Sequence, residues 1–219
     1  MTDRDIEYFN LCNKAGFIKG SVLEVGAAKV QGRDNLCEIC KTVGVVKTVG
    51  ADLALGEGVD LVVDFGKEPR VFDSEWSGDQ YDTVFVFNVL EHTFDPVTVL
   101  RNAMQCVAKG GSLIVVAPTV WPIHHFPKDH CRLLPDWFRE FSRRNGMDLV
   151  ETLFCWLSEF GVKPMDGDDS SKMPSFTKTP AGISWPRYYI SRICHKLFNT
   201  YGRSHWATHS AIGATFVRR

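Results

Sequence analysis

The sequence has no apolar run long enough to cross a bilayer, and its first residues, MTDRDIEYFNLCNKAGF, carry charges where an export signal needs an apolar core. Both absences lead to the expectation of a cytoplasmic protein with no membrane partner. A surplus of one charge sign is missing as well. With 25 basic and 26 acidic residues the net charge is −1, which removes the general electrostatic reason to expect nucleic acid. The local cluster Arg139, Arg143 and Arg144 has helical spacing and reads as a solvated face. No disulfide framework is visible: seven cysteines are an odd, scattered set, which fits reduced thiols. Cys37 and Cys40 form a lone CxxC without a second pair, so a packed helical face is expected rather than a metal or redox site. No internal repeat is present.

The most informative shortage is of glycine in the segment VLEVGAAKVQG, Val22 to Gly32. An apolar strand runs into Gly26 as it would at a dinucleotide site. Read as GxGxxG from Gly26, however, the second and third positions are Ala28 and Gln31. A pyrophosphate needs the second glycine for close backbone approach and the third for helix packing, so a nicotinamide cofactor is disfavoured. S-adenosylmethionine (SAM) has no pyrophosphate and would tolerate the change.

What is present is an alternation of strand-like and helix-like runs. Residues 5–17 read as a helix with Ile6, Phe9 and Phe17 toward a core. Strands are expected at 21–26, 46–53, 59–65, 81–88, 112–118, 147–157 and 210–219, with helices at 33–44, 95–111 and 133–146. Continuous apolar strands separated by helices imply an α/β, doubly wound sheet, mostly parallel and covered on both faces. At 219 residues one domain accounts for the chain, with 158–205 as an insertion or lid before the last strand. Within it Tyr189, Ile190, Ile193, Leu197 and Phe198 form a helical stripe, read as core packing or as a dimer or lid surface.

In such sheets the ligand lies beyond the carboxyl ends of the strands. Asp52 ends the second strand, where a carboxylate can accept both ribose hydroxyls. Asp64 ends the third, placed for an adenine amino group or to cap its own turn. FNVLEH then brings Asn88, Glu91 and His92 to the crevice. Asn88 suits the methionine end, Glu91 a helix cap or the cofactor, and His92 a base or a structural role.

Together VLEVG, GADL, YDTVFVFNVLEH and VLRNAMQCVAKGGSLIVVAP resemble the SAM-dependent methyltransferases of the seven-stranded, Rossmann-like class, in particular the small type 11 branch. The likeness covers roughly residues 20–150. Some members carry E-V-G-x-x-x-x-N-G in the first loop, matched here by Glu24, Val25, Gly26 and Gly32, with Gln31 for the Asn. The resemblance implies SAM as cofactor, held by Glu24, Gly26, Gly32, Asp52, Leu53, Asp64, Phe65 and Asn88. It also implies strand order 3-2-1-4-5-7-6 with the last strand antiparallel.

On the acceptor side, PTVWPIHHFPKDHCRLLPDWF is similar to the family segment H-x-P-x-D-Y-W-R-F-T-P. His125, Pro127, Asp129, Arg132 and Pro135 match, whereas His130-Cys131 and Leu133-Leu134 depart. A hydroxyl acceptor gains from a base within reach, for which His92, His124, His125 and His130 are candidates and Asp129 an orienting partner. Three histidines and an aspartate within seven residues could also bind a metal, but the family segment accounts for His125 and Asp129 without one, and no metal is expected. The expected activity is methylation of a small-molecule hydroxyl. The alternatives are a non-catalytic binding protein on the same fold, or a nicotinamide enzyme.

Overall fold

The computed structural model describes residues 1–29, 34–69, 72–73, 76, 79–124, 127–158, 161–165 and 209–219. Strands β1 (Ser21–Val25), β2 (Lys47–Asp52), β3 (Leu61–Val62), β4 (Tyr81–Phe87) and β5 (Val107–Val120) pair in parallel in the order β3-β2-β1-β4-β5. The sheet continues antiparallel through β9 (Ser210–Arg218) to β7 (Cys155–Ser158) and β8 (Gly161–Pro164), and β6 (Met147–Leu149) also pairs with β9. This is the Rossmann-like methyltransferase order, with β9 as the seventh strand and β6 and β7 as two halves of the sixth.

The sixth strand was expected to be continuous over 147–157. Between Leu149 and Cys155 the chain advances six residues, while its partner advances three, from Phe216 to Gly213. The surplus coils into a short 3-10 turn, Glu151–Leu153, with Val150 N–H held on the Thr215 carbonyl at 2.8 Å. β8 is a second difference. It lies in the segment read as an insertion and closes a hairpin on β7. Residues 166–208, including the helical stripe 189–198, lie outside the described residues.

Alternation along the central strands divides the core. Val84 and Val86 of β4, with Leu113 and Val115 of β5, face one side of the sheet. There they meet α3 (Pro96–Gln105) and α4 (Pro135–Asn145) through Leu100 and Phe138. Phe85, Phe87, Ile114 and Val116 face the other side, covered by α1 (Asp3–Lys14) and α2 (Leu36–Thr42). On α1 the buried residues are Asp5, Tyr8, Phe9 and Cys12, while Ile6, and Phe17 beyond the helix, are only half-buried. The Tyr8 hydroxyl donates to the Leu153 carbonyl at 2.6 Å and lies 2.9 Å from the Thr215 hydroxyl. Its ring rests where Gly213 has no side chain: a Cβ there would sit 2.7 Å from the ring.

Local chemistry sets the helix ends. Thr2 and Asp5 form a capping box on α1, and Asn35 caps α2. Pro96 and Pro135 open α3 and α4, and left-handed Gly146 closes α4. The helix expected to run to Gly110-Gly111 stops at Gln105, because Val107 already pairs with Tyr81 of β4. Arg143 and Arg144 both pair with Glu140, and Arg139 with Glu151. Cys37 and Cys40 are buried against the sheet, where burial pushes the Cys40 thiol up to about 12. Among the described residues no helix is long and apolar enough to cross a membrane.

Candidate functional site

The parallel strands discharge their carboxyl ends into one crevice. Just past β1, Gly26 takes φ +82°, a left-handed conformation, and a Cβ would meet Val89 Cγ2 at 2.5 Å. The first loop is tied to the second strand by Asp52, whose carboxylate accepts the backbone N–H groups of Ala28 (3.0 Å) and Leu53 (2.7 Å). Asp64 is exposed and caps its own turn by accepting Gly66 N–H at 2.8 Å. Phe65 is buried beside Phe72 and Trp76. Asn88, after β4, is the one non-glycine residue with positive φ (54°) among the described residues, and its amide donates to Asp5 at 3.0 Å. Gly26, Asp52, Leu53, Asp64, Phe65 and Asn88 thus border one cavity of about 490 Å³. That cavity is lined by two carboxylates and by no lysine or arginine among the described residues.

Glu24 does not join them. Its side chain is buried under α2, where Oε2 accepts Cys37 N–H at 2.8 Å, and burial pushes its carboxyl up to about 7. The acid that the sequence assigns to the cofactor is a helix-start acceptor instead. Gly32 and Gln31 lie outside the described residues.

A second cavity, of about 630 Å³, adjoins the first and shares Asn88 and His92 with it. The start of α1 forms one wall, and Glu91, Trp121, His124 and His209 contribute others. His92 Nδ1 donates to the Lys128 carbonyl at 2.6 Å, which leaves Nε2 with its lone pair. Asp129 is gripped by Arg132, with Nη2 2.6 Å from Oδ2, and this guanidinium holds its carboxyl well below the usual range. The same Asp129 accepts His124 N–H at 3.0 Å and lies 3.3 Å from His124 Nδ1. Among the described histidines of this segment, the one beside Asp129 is therefore His124. His130 is exposed, bonds through its backbone to the Glu91 carbonyl and borders neither cavity, which removes it from the proposed catalytic set. His125 lies outside the described residues.

Sequence reading missed the wall made by the start of α1. Its only signal was the capping box, whose Asp5 turns out to be shared with Asn88.

A family model for the methyltransferase domain matches residues 7–161. No curated protein sequence matches the chain closely enough to mark a relative. Among solved structures, a SAM-dependent methyltransferase from Archaeoglobus fulgidus superposes with TM-score 0.52 at 17% identity, covering 97% of this chain and 94% of that one. Magnesium protoporphyrin IX methyltransferase from Synechocystis, solved with bound SAM, gives TM-score 0.51 at 12% identity, covering 99% and 78%. An O-methyltransferase from a trans-AT polyketide synthase of Brevibacillus brevis, in complex with S-adenosyl-L-homocysteine, gives 0.53 at 12% identity, covering 99% and 72%. At these identities the likeness is one of fold.

Proposed function

The chain belongs to the methyltransferase domain family, and from that membership we propose that it moves a methyl group from SAM to the hydroxyl of a small molecule. The observation that carries the cofactor assignment is the charge of the first cavity. Two carboxylates, with no facing cation among the described residues, repel a pyrophosphate and suit a ligand bearing a sulfonium and an ammonium. Asp52 stands at the end of β2, where free carboxylate lone pairs can receive ribose hydroxyls, and Phe65 and Leu53 offer apolar surface for the adenine. Gly26 keeps the first turn tight. SAM supplies a methyl group already activated on sulfur.

Chemistry of that kind asks the protein mainly to align the reactants and keep water out. Asn88 and His92 sit on the wall common to both cavities, which supports the junction as the place where donor and acceptor meet. The His92 Nε2 lone pair can accept a hydrogen bond from an acceptor hydroxyl, and His124 stands beside it, ring centroids 4.9 Å apart. A cavity of about 630 Å³ fits a small molecule rather than a duplex. Free cysteines, five of the six described ones buried, support a reducing compartment such as the cytoplasm.

Titration calorimetry tests the cofactor. SAM and S-adenosylhomocysteine are expected to bind and NAD is not; the reverse order would overturn the assignment. Asp52→Ala is expected to weaken SAM by about 1–3 kcal/mol, roughly 5- to 150-fold, through the lost ribose hydrogen bonds. An unchanged affinity would remove Asp52 from the site.

A further inference from the structure

The second cavity contains a carboxylate that its surroundings leave unsatisfied. Glu91 is 2% exposed, and its Oε2 has no hydrogen-bond partner among the described residues. A buried carboxylate is costly unless it is paired, protonated or bound to a metal. The other oxygen, Oε1, lies 3.7 Å from His92 Nε2.

Both neighbouring imidazoles are arranged as metal ligands are. His92 commits Nδ1–H to the Lys128 carbonyl, and His124 gives Nδ1–H to the Pro122 carbonyl at 3.4 Å, with Asp129 3.3 Å from the same nitrogen. Each Nε2 is then the lone-pair nitrogen. A carbonyl or carboxylate on the far nitrogen is the outer-shell pattern that fixes a ligating histidine and raises its basicity. Asp129 is itself fixed by Arg132. One donor atom each from Glu91, His92 and His124 lies within 4.8 Å of the other two.

We propose that Glu91, His92 and His124 bind a divalent first-row transition cation in the wall of the second cavity. Two imidazole nitrogens and one carboxylate oxygen favour zinc, iron, cobalt or manganese over magnesium or calcium, which prefer oxygen alone. Ligands about 2.1 Å from a shared ion lie roughly 3–3.5 Å apart, so closure around it needs side-chain shifts of about 1 Å. His124, half-exposed on a loop, has that freedom.

Three protein donors leave coordination positions open to the cavity, where an oxygen of the acceptor would bind. This use of the ion rests on the methyl-transfer reading; the binding itself does not. On that reading His92 Nε2 is spent on the ion rather than on the hydroxyl, and the acceptor hydroxyl gives its proton to water as its oxygen meets the ion. The oxygen's electron pair then forms the bond to the methyl carbon while the carbon–sulfur bond breaks onto sulfur. The acceptor class narrows to molecules with a metal-binding hydroxyl, such as a catechol or an α-hydroxy carbonyl compound.

The test is titration of chelator-treated, full-length protein with Co2+, followed by visible d–d absorption, with SAM titrated separately. One ion per chain is expected, with a spectrum typical of mixed nitrogen and oxygen ligation. His124→Ala should weaken Co2+ by at least the 10–100-fold that loss of an outer-shell partner costs, as should His92→Gln, while His130→Ala should not. SAM affinity of the His124→Ala variant should stay as in the parent, which certifies its fold. Absence of a band in the parent, or equal Co2+ binding in His124→Ala and parent, would overturn the site. SAM binding without Co2+ binding would sink the metal and spare the methyl-transfer reading; Co2+ binding without SAM binding would do the opposite.

Discussion

Gly213→Val is expected to lower the unfolding free energy by about 3–5 kcal/mol. Gly213 lies in the middle of β9, between Val116 of β5 and Cys155 of β7, so its backbone is held from both sides. A Cβ would stand 2.7–2.8 Å from three atoms of the Tyr8 ring, closer than real Cβ contacts come. The ring cannot retreat without losing its hydroxyl's bond to the Leu153 carbonyl and its contact with Thr215, both buried. Overpacking and two broken polar contacts then add. Urea denaturation measures the loss. Combining the change with Tyr8→Leu should recover part of it, because the clash disappears. A loss below about 1 kcal/mol for Gly213→Val alone would mean that the ring has room to move.

The second large effect is on pH dependence. Glu24 holds its proton to about pH 7 in the folded protein, against an ordinary value of 4.5, because burial disfavours the charged form despite the backbone N–H groups of α2. Below pH 4.5 the carboxyl is protonated in both states and costs nothing. As pH rises through the window from 4.5 to 7 the unfolded chain releases a proton that the folded one retains. Stability therefore falls, by roughly 3 kcal/mol at 1.36 kcal/mol per pKa unit, and falls no further above that window. The adjacent Cys40 thiol, pushed up to about 12, stays neutral throughout. Glu24→Gln keeps an acceptor for Cys37 N–H and should flatten this component. The check is the difference between parent and variant urea midpoints across the window. A difference that does not change with pH would show that Glu24 is ionised in the fold.

Some of this was legible in the sequence for clear physical reasons. β4 is apolar on both faces because both faces are covered, and Asp52 follows directly from where a parallel strand ends. Glu24 was misread because an acid before a glycine looks the same whether it faces a ligand or a helix start. That choice depends on how α2 enters, which no local pattern encodes. The break in the sixth strand is invisible without its partner, since the surplus residues appear only against the register of β9. Asp129 stood out by its motif, but its partner did not: the nearby histidines look equivalent in sequence, and the folded loop is what brings His124 to it. Glu91 and His92 are sequence neighbours that reach the same cavity because a 3-10 turn, Leu90–His92, carries both.

β9 has a consequence for biosynthesis. It lies between β5 and the β6–β7 strand, yet it follows every other described strand in the chain. A nascent chain can assemble β3-β2-β1-β4-β5 while the ribosome is still reading codons for the rest. Throughout that interval β5 offers an open edge from Leu113 to Ala117, residues that are all buried once the protein is complete. Such an edge invites pairing with other chains. The seam closes only once Ser210–Arg218 have been made and released to fold, so a chain interrupted before them is a molecule missing the middle of its sheet.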